Sequence, residues 1–95
     1  MSAFLYDHEI VEKLLTTNEV LNKKDREELR KVTDESGLKK FHDKFGKEIR
    51  NVYSLWNTHN PNTFEFKTEK MIKQPSEVSY EVIVKTWEKL NETNE

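Results

Sequence analysis

Six large apolar residues, Leu38, Phe41, Phe45, Ile49, Val52 and Trp56, recur at intervals of three and four with no proline among them. That spacing places one stripe of side chains on one face of an α-helix, and a stripe this long must be covered by other helices. Asp34 offers a side-chain acceptor to the free amides of a first turn, so the helix is predicted from near Asp34 to about Tyr53, with Trp56 closing the stripe in the core. Gly46 lies inside it at a cost of roughly 1 kcal/mol relative to Ala, which points to close packing against a neighbour or to a kink.

Only Gly37, Gly46, Pro61 and Pro75 interrupt the chain, so further helices are expected on either side. Asp7 to Thr16 reads as a helix capped by Asp7, with Ile10, Val11, Leu14 and Leu15 on one stripe. A second helix follows Asn22 and runs to about Val32, with Leu29 and Val32 inward and a solvated face that includes Arg26 and a Glu27/Lys31 pair. The last opens at Gln74 and Pro75 and runs to about Leu90, with Val78, Val82, Ile83, Trp87 and Leu90 on one face. Between the third and fourth helices, residues 57–62 are turn chemistry, and Thr63 to Lys67 alternate apolar and polar without a visible partner strand. An extended segment laid over the helices is predicted there.

The fold class expected is therefore all-α: a compact bundle of about four helices with an extended segment between the third and fourth. A chain of 95 residues makes one domain, residues 1–95, with about 1–6 and 91–95 frayed. Two Trp, three Tyr and five Phe exceed what a disordered chain carries, despite a charged fraction of 36%.

Charge and cysteine content narrow the function. Sixteen basic and eighteen acidic side chains are spread through the chain, so the clustered positive charge that nucleic acid requires is missing. With no cysteine there is no disulfide framework, cysteine nucleophile or thiolate metal site. No apolar run is long enough for a signal peptide core or a membrane span, so a cytoplasmic protein without a membrane partner is expected.

Phe41-His42, Gly46, Ile49-Arg50-Asn51, Leu55-Trp56, Pro75, Ser79, Trp87 and Leu90 together resemble a small uncharacterised family of bacterial and phage proteins, over roughly residues 10–90. This chain departs from the family at Ser54, where the family has Gly, at Gln74, where it has His, and at Ser76-Glu77, where it has Asp-Asp. The resemblance implies a helical fold and the cytoplasm of a bacterium or a phage-infected bacterium; it implies no mechanism.

Arg50, Asn51, Tyr53 and Trp56, with His59 beyond them, form the candidate binding site. Guanidinium, amide and aromatic faces suit a carboxylate, a phosphate or a flat base. The same residues also suit a structural role, with Arg50 paired to a carboxylate and Asn51 capping the helix end. Phe64, Phe66 and Met71, with Ile72, either cover the core or form an interface with a partner or a second copy. His8, His42 and His59 lack a second ligand at helical spacing, so no metal is expected. His42 with Asp43 and Glu48 diverge on a helix, and Ser76, Ser79, Thr16 and Thr17 have no triad context, so no catalysis and no cofactor are expected. The reading is a non-enzymatic module that binds another protein, an accessory factor or inhibitor acting on a host or defence protein. The alternative is a protein that sequesters a nucleotide-like small molecule at the Arg50 site.

Overall fold

The structure is a computed structural model that describes residues 4–92. Its elements in chain order are α1 (Asp7–Thr16), α2 (Lys23–Arg30), α3 (Glu35–Val52), β1 (Phe64–Glu65), β2 (Lys70–Met71) and α4 (Pro75–Glu92). The all-α expectation holds, with a two-stranded ribbon as the β content among the described residues. Of the termini expected to fray, Tyr6 takes the N-cap position of α1 and residues 91 and 92 are helical, whereas 1–3 and 93–95 lie outside the described residues.

α4 is the centre of the fold, packing on α1, α2 and α3. Its breadth of apolar face explains that position. Val78, Val82 and Ile83 are buried, and Tyr80, Val84, Trp87 and Leu90 pack around them half-buried. Ile10, Val11 and Leu14 of α1, Leu29 of α2 and Leu38, Phe41, Phe45 and Ile49 of α3 complete one continuous core. Burying each large aliphatic side chain contributes about 1.5–3 kcal/mol before entropy is counted. Trp87 adds a polar tie, donating its indole Nε1–H to the Val32 carbonyl at 2.8 Å and so fixing α4 to the α2–α3 connection.

Local signals set most helix ends. Asn22 accepts the Asp25 amide at 2.8 Å while Asp25 accepts the Asn22 amide at 3.1 Å, a reciprocal cap. Asp34 accepts the Gly37 amide at 2.8 Å, as its position predicts. Pro75 takes the first position of α4, and Glu77 reaches back to the Gln74 amide. Asp7 is not the cap of α1; it stands in the first turn, where Lys85 of α4 holds its carboxylate below the usual range.

Two expectations about surfaces are corrected. Arg26, expected on the solvated face of α2, turns its Nη1 to three carbonyls, those of Leu14 at 3.3 Å, Thr17 at 2.8 Å and Leu21 at 2.7 Å. Its long side chain satisfies two C-terminal carbonyls of α1 and that of Leu21 in the connection that follows, from a helix away. Glu27 pairs with Arg30, three residues on, and not with Lys31. Val20 and Leu21, in the connection before α2, are buried although no helical period marks them.

The segment from 53 to 74 departs furthest from expectation. Thr63 to Lys67 does find a strand partner: β1 pairs antiparallel with β2, with Phe64 opposite Met71 and Glu65 opposite Lys70. The connecting turn is closed by Glu69 in the left-handed region, φ 54°. Pairing two residues with two is too short a pattern for alternation to announce.

Candidate functional site

α3 ends earlier than its apolar stripe does. Tyr53 is the C-cap, Ser54 adopts φ 57°, and the Leu55 amide returns to the Arg50 carbonyl at 2.9 Å. This is the Schellman arrangement, in which a left-handed residue reverses the chain and satisfies a terminal carbonyl. The reversal changes which side chains face the core. Leu55 is fully buried, while Trp56 is 59% exposed and Val52 39%. Trp56 is thus not the core plug its spacing predicts.

Arg50 is likewise not paired with a carboxylate. Its Nη1 donates to the buried Ser79 hydroxyl of α4 at 3.1 Å, and its guanidinium lies 5.3 Å from the Trp56 ring centroid. The Nε of Arg50 is buried without a hydrogen-bond partner. His42 reaches the same hydroxyl, with Nε2 2.7 Å from Ser79 Oγ, and Ser79 in turn donates to the Ser76 carbonyl at 3.1 Å. His42, Gly46 and Arg50 are spaced by four, so all three occupy one face of α3. Gly46 makes the convergence possible: a Cβ there would lie 2.6 Å from His42 Nε2 and 2.9 Å from Arg50 Nη1. Its role is room for two polar side chains, not contact with another backbone. Burial, with the Arg50 charge beside it, lowers the His42 pKa. The Tyr80 ring packs edge-on against the imidazole at 5.5 Å.

The other candidate residues do not join this cluster. Asn51 is exposed on α3. Tyr53 is buried on another side with Leu5, Lys13 and Glu19, and burial there pushes its phenol well above the usual range. His59 stacks on Phe66 at 6.4 Å, and Phe66 meets Phe64 edge-on at 5.3 Å. Phe66, Met71 and Ile72 are each more than half exposed, so this segment does not cover the core. A groove of about 380 Å³ between α1 and α4, lined by Val11, Glu12, Leu15 and Glu88 among others, lies on different residues from those chosen by sequence.

A buried amide pins the exposed connection in place. Asn60, fully buried, donates Nδ2 to the Tyr53 and Ser54 carbonyls at 3.3 and 3.1 Å and accepts the Asn62 backbone amide at 2.9 Å. Asn62 then accepts the Asp7 amide at 2.9 Å and donates to the Leu5 carbonyl at 2.8 Å. The end of α3, the connection and the start of α1 are thereby fastened together.

A model for a domain of unknown function, DUF6794, matches residues 9–90. The chain belongs to the DUF6794 family. No curated protein and no solved structure matches it. Within the DUF6794 domain lie the whole His42–Arg50–Ser79 cluster, the Asn60–Asn62 fastening and the exposed connection. In the sequence His42 and Ser79 were set aside as metal or catalytic residues and kept only in the family resemblance; the four-residue spacing through Gly46 was the signal for grouping His42 with Arg50, and none marked Ser79 as their shared partner. Among the described residues no group of three His, Cys, Asp or Glu side chains is placed to hold a metal ion, and no helix is long and apolar enough to cross a membrane.

Proposed function

We propose that this DUF6794 domain is a non-enzymatic protein-binding module whose contact surface is the α3–α4 connection. One observation carries the reading. Among the described residues six large apolar side chains are exposed, and five of them, Val52, Trp56, Phe66, Met71 and Ile72, fall between positions 52 and 72. Exposed aromatic and Met side chains concentrated in one connecting segment have the composition of an interface core. The fastening by Asn60 and Asn62 supports this, because a surface already ordered loses less entropy on binding.

In the cytoplasm of a bacterium or a phage-infected bacterium, which the family resemblance implies, the partner would be a host or defence protein. The nucleotide-binding alternative is the weaker reading, since Tyr53 is buried with Leu5, Lys13 and Glu19 and not beside the Arg50–Trp56 stack. The test is affinity capture from the source lysate with the wild-type chain and with a Trp56→Ala/Phe66→Ala variant whose melting temperature is unchanged. A protein captured by the first and lost by the second is expected. Equal capture by both, or a nucleotide that raises the melting temperature through Arg50, contradicts the reading.

A further inference from the structure

Resting on the reading of the α3–α4 connection as a contact surface, we propose that its partner is a protein segment bearing carboxylates beside apolar anchors. Residues 50–73 carry four basic side chains, Arg50, Lys67, Lys70 and Lys73, against two acidic ones, Glu65 and Glu69, in a chain of formal charge −2. The exposed apolar side chains therefore sit in a net-basic stretch of a net-acidic chain. Lys73 is held by Glu81 at 2.8 Å, whereas Lys67 and Lys70 have no carboxylate within 4 Å among the described residues. Both lysines flank Phe66 and Met71, which are 56% exposed. Arg50 adds a guanidinium already held on Ser79 and stacked on Trp56, so little rotamer freedom remains to be lost when a carboxylate pairs with it.

Complementary charge around apolar anchors selects the partner and speeds encounter. Two other occupants fit less well. An anionic membrane surface would meet Glu65 and Glu69 on the same hairpin. A second copy offers its α1–α4 groove, but there Lys85 and Lys89 stand among Glu12, Glu88 and Glu92, with Lys89 paired to Glu92, so the groove presents mixed charge.

The test pans a displayed random-peptide library on the full chain and measures the selected peptides in solution by fluorescence anisotropy. Peptides enriched in Asp and Glu beside aromatic or aliphatic residues are expected. Their affinity should fall about tenfold or more in Lys67→Glu/Lys70→Glu, with the melting temperature unchanged, and should fall with added salt. Peptides without acidic enrichment that still lose binding to Trp56→Ala/Phe66→Ala overturn this inference and leave the contact surface standing. Peptides indifferent to that double variant overturn both. A library that yields no binder overturns the inference. So does binding of phosphatidylserine vesicles, or self-association at high concentration, if Lys67→Glu/Lys70→Glu abolishes it.

Discussion

Asn62 caps α1 although 55 residues separate it from Asp7, whose amide its Oδ1 accepts at 2.9 Å. With Asn60 bound to the carbonyls of Tyr53 and Ser54, the pair joins the end of α3 and the start of α1 to the α3–α4 connection. Asn60→Ala should cost about 1–3 kcal/mol, because it takes away the side-chain donor to the Tyr53 carbonyl and the acceptor of the Asn62 backbone amide. Asn62→Ala should cost about 1 kcal/mol, the usual loss of a cap. Urea denaturation of both variants checks this, and a cost below about 0.5 kcal/mol for Asn60→Ala would remove the fastening from the account.

Burial of His42 beside the Arg50 charge makes stability depend on pH. The folded state lowers the His42 pKa below its unfolded value of about 6.5, so the fold favours the neutral ring. The contribution is present above that unfolded pKa and is lost as pH falls through it towards the folded value. The wild type should lose stability on acidification from about pH 7 to 5 more steeply than His42→Gln. Denaturation midpoints across that range decide, and parallel curves count against the burial of a neutral His42 in the fold.

Gly46→Ala separates helix propensity from the cluster. Alanine favours the helix by roughly 1 kcal/mol, yet its Cβ would overlap the His42 ring and the Arg50 guanidinium. The side chains must move away, so the overall stability should change little while the His42 pKa rises towards its ordinary value. Imidazole titration by NMR reads this directly; an unmoved His42 would mean that Gly46 does not make the room assigned to it.

Much of the helical frame was legible in the sequence because its signals are local. Asn22, Asp34 and Pro75 mark helix starts through side-chain acceptors or a missing amide, and the α3 and α4 stripes repeat for many turns. What failed was long-range. Arg26 serves carbonyls of another element, and Asn60 and Asn62 read as turn residues although their bonds reach Leu5 and Asp7. Trp56 was misplaced because the end of α3 carries Ser54 at the left-handed position, where glycine would have announced the stop. The period then ran on past the helix, and Leu55 took the buried place. Of the candidate site, the grouping of Arg50 with Trp56 was legible; their stacking and the anchor of Arg50 on Ser79, from another helix, were not.

Ser54→Gly tests that reading of the helix end. A residue other than glycine at φ 57° costs free energy that glycine avoids. The substitution should stabilise by about 0.5–1 kcal/mol in chemical denaturation, net of the larger unfolded-state entropy of glycine. A destabilised variant would show that the Ser54 side chain contributes something that its backbone geometry does not reveal.

The central claim is that the exposed α3–α4 connection is where another protein binds. Affinity capture with the wild-type chain beside Trp56→Ala/Phe66→Ala, matched in melting temperature, tests it most directly. The account predicts a specific partner held by the wild type and released by the double variant. A partner held equally by both would contradict it.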